Sequence, residues 1–326
     1  MTKLLENRVA IVTGSGQGVG RAIALTLADL GCKVVTNNRH PGSNVNAEEN
    51  KSLDYSDDER KRLEGIIGDA ETTAAAIRER GGVAVPCFAD VSKPEDCKKL
   101  VETAIAEFGR LDILVCNGAS FYNCNIKDMP IDMWHKVVDS KLDGTFYLIH
   151  YAVPYMIEQG FGRILSASSE AFQGLMGMAP YSSAASGIWA LTKTAAQDLR
   201  PYGITSNAYT PLCKTRGWYS QLHIYAQQGV PEEVLEQNAP KAMQFGPEGM
   251  GVFLAWLCSD EAADVTGLMF NIEASGKISI WSESQQYNAI EKDVAADGIW
   301  TIEEIREQAP KLLEGATSSV TTIELH

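Results

Sequence analysis

The sequence has no run of 18 apolar residues, no C-x-x-C pair, no internal repeat and no low-complexity segment. The first absence argues against a membrane-spanning helix. The second argues against a zinc ribbon or a dithiol redox motif, and no metal is expected. The opening stretch MTKLLENRVAIVTG lacks the apolar core of a secretory signal. Seven cysteines at 32, 87, 97, 116, 124, 213 and 258 are scattered and odd in number, which reads as reduced, packed thiols in a cytoplasmic protein. Positive charge is the scarcer sign, with 28 Lys and Arg against 42 Asp and Glu and a net charge of −14. Nucleic acid and anionic membrane are therefore poor partners. A small anionic ligand held by one Arg or a helix N-terminus stays open.

What is present suits a large α/β domain. The chain is 326 residues long and 45% apolar, enough to bury a sizeable core. Residues 8–13, RVAIVT, read as a buried strand, followed at once by GSGQGVG and the helical run RAIALTLADLG. KVVTNN is the next strand. Strand, glycine-rich turn, helix and strand within about 30 residues is the context of a dinucleotide-binding fingerprint. Residues 40–69 are polar and acidic and read as an inserted surface loop, with a short charged helix at 56–67. Alternation then resumes with helix 69–80, strand 83–88, helix 94–108 and strand 111–115. Helix 132–158, strand 162–167, helix 179–199 and strand 204–209 follow. Helix 247–258 and strand 267–272 finish the pattern. The fold class is α/β, a doubly wound parallel sheet in one domain over 1–282. The extension 283–326 carries one further helix, in IWTIEEIREQAPKLLEG. Residues 212–245 bring Trp218, Tyr219, Tyr225, Met243 and Phe245 into a polar context after a strand's carboxyl end. They read as a substrate lid, or as a face packed on a neighbouring subunit.

The chemistry-bearing stretch is SASSEAFQGLMGMAPYSSAASG, residues 166–187. Ser168 and Ser169 precede a helix-borne Tyr181, a pairing suited to holding a substrate oxygen and moving its proton. One helical turn past Tyr181 stands Ala185, where a cation would help ionise the phenol. A free tyrosine has a pKa of about 10, so about 0.1% is ionised at pH 7.

These residues resemble the short-chain dehydrogenase/reductase family across residues 5–276. Its cofactor motif TGxxxGxG stands here as Thr13-Gly14-Ser15-Gly16-Gln17-Gly18-Val19-Gly20. The resemblance implies that Gly14, Ser15, Gln17, Gly18, Val19 and Gly20 line a dinucleotide. Asp90 with Val91 matches the family's acidic position beside the adenine. Its NNAG stretch appears as Cys116-Asn117-Gly118-Ala119, implicating Asn117 and Gly118. Its Pro-Gly after the sixth strand is Pro211-Leu212, and Thr215 matches a position that contacts the carboxamide. The catalytic serine matches Ser169 when aligned on the preceding strand, whereas spacing to Tyr181 favours Ser168. The second strand ends Thr36-Asn37-Asn38-Arg39, with no acid and one guanidinium. Asn38 and Arg39 would then meet the adenosine ribose, and Arg39 favours NADP(H) over NAD(H) unless it is only a solvated surface charge.

Two departures concern the reaction itself. The family's YxxxK is YSSAA, with Ala185 in the lysine position, and its helix-borne Asn is replaced by Lys141. At helical spacing Lys141 shares a stripe with Trp134, Val137, Val138, Thr145 and Leu148. In the family the Asn and the Lys are neighbours, which implies that Lys141 fills the space left by Ala185. The alternative is a Lys141 that snorkels to solvent or pairs with Asp139 or Asp143. The expected function is hydride transfer between the nicotinamide and a secondary alcohol or ketone of an apolar, cyclic or acyl, substrate. Tyr181, Ser169 and Lys141 would do the work. The insertion and tail look similar to the hydroxyacyl-CoA dehydrogenase branch. The competing expectations are a non-catalytic nucleotide-binding subunit of a hetero-oligomer, or an engineered Lys-to-Ala change. The resemblance also implies a homodimer or homotetramer pairing through helices 132–158 and 179–199.

Overall fold

The computed structural model describes residues 3–42, 68–219, 222, 229, 231, 234, 237–282 and 301–312. Residues Met1–Trp281 make one compact unit and Ser282–His326 a second. The expected charged helix at 56–67, Tyr225 of the lid, and 283–300 and 313–326 of the extension lie outside the described residues. Within the second unit, α8 (Ile302–Leu312) forms where the sequence predicts a helix.

The first unit is built on one eight-stranded sheet of order β3-β2-β1-β4-β5-β6-β7-β8. Its strands are β1 (Val9–Val12), β2 (Lys33–Asn38), β3 (Val83–Phe88), β4 (Ile113–Cys116), β5 (Gly162–Ala167), β6 (Ile204–Leu212), β7 (Met269–Glu273) and β8 (Ile278–Ile280). All neighbours run parallel except β7 and β8. The central strands are apolar without alternation because both faces are covered. Val9 and Ile11 face one core with α3 (Pro94–Phe108), α5 (Gly144–Gln159) and α6 (Ala179–Leu199). Ala10 and Val12 face the other, with α1 (Gly18–Asp29), α2 (Ala70–Glu79) and α7 (Met250–Leu257). Chain order reverses between β1 and β4, and their carboxyl ends open the crevice where such sheets bind ligands.

Three local departures from the sequence reading have physical causes. The expected helix 132–158 is three pieces: α4 (Ile131–Val138), a π-helical turn (Asp139–Asp143) and α5. Ser140 loosens the ladder there, since its Oγ lies 2.9 Å from Lys136 O and 3.2 Å from Val137 O while accepting the Ser120 N–H. The strand predicted to stop at 209 runs to Leu212. Beyond Tyr209 it pairs only with β7, so Pro211 can sit in it without breaking a ladder on the β5 side. Finally, the antiparallel edge strand β8 was not foreseen. A tight turn with Gly276 at φ +97° returns the chain, and Glu273 N donates to Lys277 O at 2.8 Å.

The two ends of the insertion meet. Gly42 N donates to Asp69 Oδ2 at 3.1 Å, while Asp69 Oδ1 accepts from Thr72 N at 2.9 Å in a capping box that starts α2. Burial pushes the Asp69 carboxyl up, but the N–H bonds from Thr72 and Gly42 outweigh it and hold it below the ordinary carboxylate range.

Candidate active site

The glycine-rich turn joins β1 to α1. Gly14 and Gly18 have φ of +61° and +53°, conformations that side chains oppose. Gly20 is required for a different reason. A Cβ there would collide with Gly14 O and come within 2.7 Å of Asn117 Nδ2. Gln17 caps α1 in an extended conformation and makes no side-chain cap bond, so the first N–H groups of a 12-residue helix face the crevice. Gln17 Oε1 is buried and finds no hydrogen-bond partner among the described residues. Val19 is half-buried beside it.

Ser15 turns out to be a structural member of the turn. It is fully buried, its Oγ accepts Asn37 N at 2.8 Å, and its carbonyl accepts Thr73 Oγ1 at 2.8 Å. Asn117 N and Gly118 N both donate to Thr13 Oγ1 at 2.9 Å, which ties the end of β4 to the end of β1. Asn38, at the end of β2, carries a second orphan acceptor, a buried Oδ1 without a partner among the described residues. Arg39 follows it and is half-buried. Asp90 follows β3, and its Oδ1 accepts Ser92 N and Ser92 Oγ at 3.1 and 2.8 Å. Val91 is buried, and a Cβ at Gly144 would come within 2.6 Å of its carbonyl oxygen. Two left-handed glycines, an uncapped helix start and two orphaned acceptors fit a dinucleotide with its diphosphate on the helix. Among the described residues no group of His, Cys, Asp and Glu could hold a metal ion.

The second half of the site lies on β5 and α6. Ser168 is buried, with its N–H donating to Tyr209 O at 2.8 Å and its Oγ to Ala185 O at 2.9 Å. Ser169 is half-buried and caps a short 3₁₀ turn, where its Oγ accepts Ala171 N at 3.2 Å. Tyr181 is half-buried in the first turn of α6, with the Phe121 ring edge-on at 5.5 Å. Ala185 is fully buried one turn later.

The π-helical turn brings Lys141 to this place. Its side chain is 3% exposed, and Nζ donates to Ala167 O at 2.9 Å and Ser168 O at 3.4 Å. The same ammonium lies 4.5 Å from the centroid of the Tyr181 ring. Snorkelling and pairing with Asp139 or Asp143 are both absent, since Nζ points inward and no carboxylate among the described residues pairs with it. Gly187 permits this approach, because a Cβ there would press on Leu142 Cδ2 at 2.8 Å. Lys141 O also accepts Thr145 Oγ1 at 2.7 Å, bridging the π turn to α5.

Pro211 lies in β6 and Thr215 shortly after it, at the start of the segment that the sequence suggests as a lid. The Thr215 methyl is 3.7 Å from where a Gly18 Cβ would sit, which places it against the glycine-rich turn. Lys214 N donates to Phe245 O at 2.8 Å, so the two ends of the 212–245 segment meet. The sequence reading missed Phe121 as a neighbour of Tyr181 and Tyr209 as a partner of Asn117. Neither carries a motif; a tyrosine inside an otherwise small, β-branched strand was the only available signal for the second.

A family profile described as Enoyl-(Acyl carrier protein) reductase matches residues 65–275, well over half of the chain. A short-chain dehydrogenase/reductase of Armillaria gallica is 31% identical over 278 residues, 83% of this chain and 97% of its own length. The peroxisomal hydratase-dehydrogenase-epimerase of Saccharomyces cerevisiae is 34% identical over 270 residues, 82% of this chain and only 26% of that longer protein. The crystal structure of a short chain dehydrogenase from Mycobacterium avium superposes with a TM-score of 0.76 at 28% identity, covering 99% of this chain and 100% of that one. With the doubly wound sheet and the glycine-rich turn joining β1 to α1, these likenesses show that this chain belongs to the short-chain dehydrogenase/reductase family and is an oxidoreductase of that kind.

Proposed function

We propose that the protein is an NAD(P)(H)-dependent dehydrogenase/reductase of a secondary alcohol or ketone, working with a relocated lysine. Gly14, Gln17, Gly18, Val19 and Gly20 would hold the diphosphate, and Asn38, Arg39, Asp90 and Val91 the adenosine half. Asn117, Gly118, Pro211 and Thr215 would border the nicotinamide half. When bound, the dinucleotide supplies or takes up the hydride at the carbon bearing the substrate oxygen. Ser169 donates its O–H to that oxygen, and Tyr181 gives or takes its proton. Lys141 supplies the positive charge that favours the tyrosinate, in the space that Ala185 leaves empty of charge.

The observation that carries this reading is the buried Lys141 ammonium 4.5 Å over the Tyr181 ring, converging with Ala185 on Ser168. Arg39 beside the orphan Asn38 supports NADP(H) over NAD(H), because a guanidinium pairs with a phosphate through two parallel bonds. Phe121 and the exposed Leu175 and Met176 of the turn before Tyr181 support an apolar cyclic or acyl substrate. Six buried thiols and the half-buried Cys124, all free, support a reducing, cytoplasmic setting. No helix among the described residues is long and apolar enough to cross a membrane. Exposed Phe146 and Ile157 on α5 support a homodimer or homotetramer pairing through that helix.

The test is oxidation of NADPH and NADH with cyclohexanone and a 3-oxoacyl thioester, with Tyr181→Phe beside the wild type. Turnover by the wild type and a loss of about 10²–10⁴-fold in the variant are expected. Equal rates in the two proteins would remove Tyr181 from the chemistry.

A further inference from the structure

We infer that Tyr209 is a positioning residue for the dinucleotide: its hydroxyl fixes the Asn117 amide that braces the glycine-rich turn. This rests on the dinucleotide reading of that turn. Tyr209 is 0% exposed in β6, yet its hydroxyl donates to Asn117 Oδ1 at 3.1 Å, beyond β4. Strand β5 lies between, and the residue it sets beside Tyr209 is Ala167, small enough for the ring to pass over. A buried phenol has one polar atom and normally finds it a partner. Among the described residues Asn117 Oδ1 accepts no other hydrogen bond, so the pairing is exclusive on both sides.

The direction of this bond decides what the amide does. Burial pushes the Tyr209 phenol well above its ordinary range, so it remains a donor at any working pH. Oδ1 must then face β6, and Nδ2 faces β1, where it donates to Thr13 O at 3.3 Å. On the same side Nδ2 lies 2.7 Å from where a Gly20 Cβ would be, in contact with the first turn of α1. Removing the hydroxyl leaves Oδ1 of the half-buried Asn117 without that donor and lets the amide invert. An inverted amide sets an oxygen against Thr13 O and loosens the support under Gly20. Among the described residues no hydrogen bond joins Ser169, Tyr181 or Lys141 to this strut, so the loss falls first on dinucleotide binding.

The experiment uses full-length Tyr209→Phe, titrating NADPH and NADH by fluorescence, with steady-state kinetics and thermal melting alongside. The expected result is a Kd for the preferred dinucleotide raised about tenfold, about 1.4 kcal/mol. The cofactor KM should rise in step, while kcat at saturating cofactor stays within about twofold of wild type. Asn117→Ala should weaken binding similarly, and the double variant should bind no worse than Asn117→Ala alone. An unchanged Kd with a lowered Tm would show a core role only and overturn the inference. Additive losses in the double variant would overturn it as well. A wild type that binds neither dinucleotide overturns this inference together with the proposed function. Tight wild-type binding with an unaltered variant overturns this inference alone.

Discussion

The two ends of the site are built on opposite principles. The turn proposed to cradle the diphosphate is made of backbone: left-handed Gly14 and Gly18, the side-chain-free Gly20 and the open N-terminus of α1. No other element can supply that arrangement, and the motif stands complete. The end proposed to carry the reaction is made of side chains, and the proposed function there draws its positive charge from a different position. Position 185 is a buried alanine, and an ammonium arrives from the π turn of the preceding helix pair. Charge acts through space, so a cation can be delivered from any element whose side chain reaches the spot. Close backbone approach cannot be delivered from elsewhere.

That contrast is broken most severely at the cradle. Gly20→Val would drive a branched side chain into Gly14 O and Asn117 Nδ2, and dinucleotide binding should fall by about 100-fold or more, or the chain should fail to fold. Fluorescence titration of NADPH and NADH checks this, and wild-type affinity would remove the turn from the binding site.

At the reacting end the cation should be movable. Lys141→Asn should lower kcat by about 10²-fold at unchanged cofactor affinity, in the range for removing one electrostatic contact to the reacting groups. Ala185→Lys alone should also be damaging, because two ammoniums would crowd the fully buried space around Ser168. The combined Lys141→Asn/Ala185→Lys variant should recover to within about tenfold of wild type. A double variant no better than the worse single one would mean that Lys141 supports the π turn and not the tyrosine.

Smaller effects sharpen the cofactor side and the neighbourhood of Ser169. Arg39→Asp should shift the NADPH-to-NADH ratio of kcat/KM toward NADH by about tenfold. A ratio that does not move would detach Arg39 from the preference. Glu170, next to Ser169, has its carboxyl pushed up, first by burial and then by the charge of Glu273. Because its folded value is raised, the ionised form opposes folding at neutral pH, and the penalty fades as pH falls toward the unfolded value. Glu170→Gln should therefore raise Tm by about 1 °C at pH 8 and by nothing below about pH 4. A shift of equal size at both pH values would point to packing instead of charge.

Where sequence reading failed at the site, it did so for want of distance. Alignment on the preceding strand favours Ser169 and spacing to Tyr181 favours Ser168, and only the structure shows how differently the two side chains are placed. The pairing of β5 carries Ser168 inward to Ala185 O and leaves Ser169 half-exposed as the cap of the next turn. Ser15 belongs to a binding motif in the sequence but is a buried tie to β2 in space. The Tyr209–Asn117 bond joins residues 92 positions apart and has no local signature.

The sequence by itself determined the alternation of strands and helices, the glycines of the cradle and the presence of a serine and a tyrosine near a missing lysine. These are local: periodicity, chain reversal and steric freedom are properties of neighbouring residues. Only the tertiary structure decided where Lys141 goes. On a regular helix it shares a stripe with Trp134, Val137 and Thr145, and the sequence leaves open the space beside Ala185, solvent and a neighbouring aspartate. Ser140 breaks that regularity, Gly187 lets α6 close in, and two carbonyls at the end of β5 accept the ammonium beneath Tyr181. A buried charge is placed by the groups that can satisfy it. Here those groups come from two elements, the end of β5 and the first turn of α6.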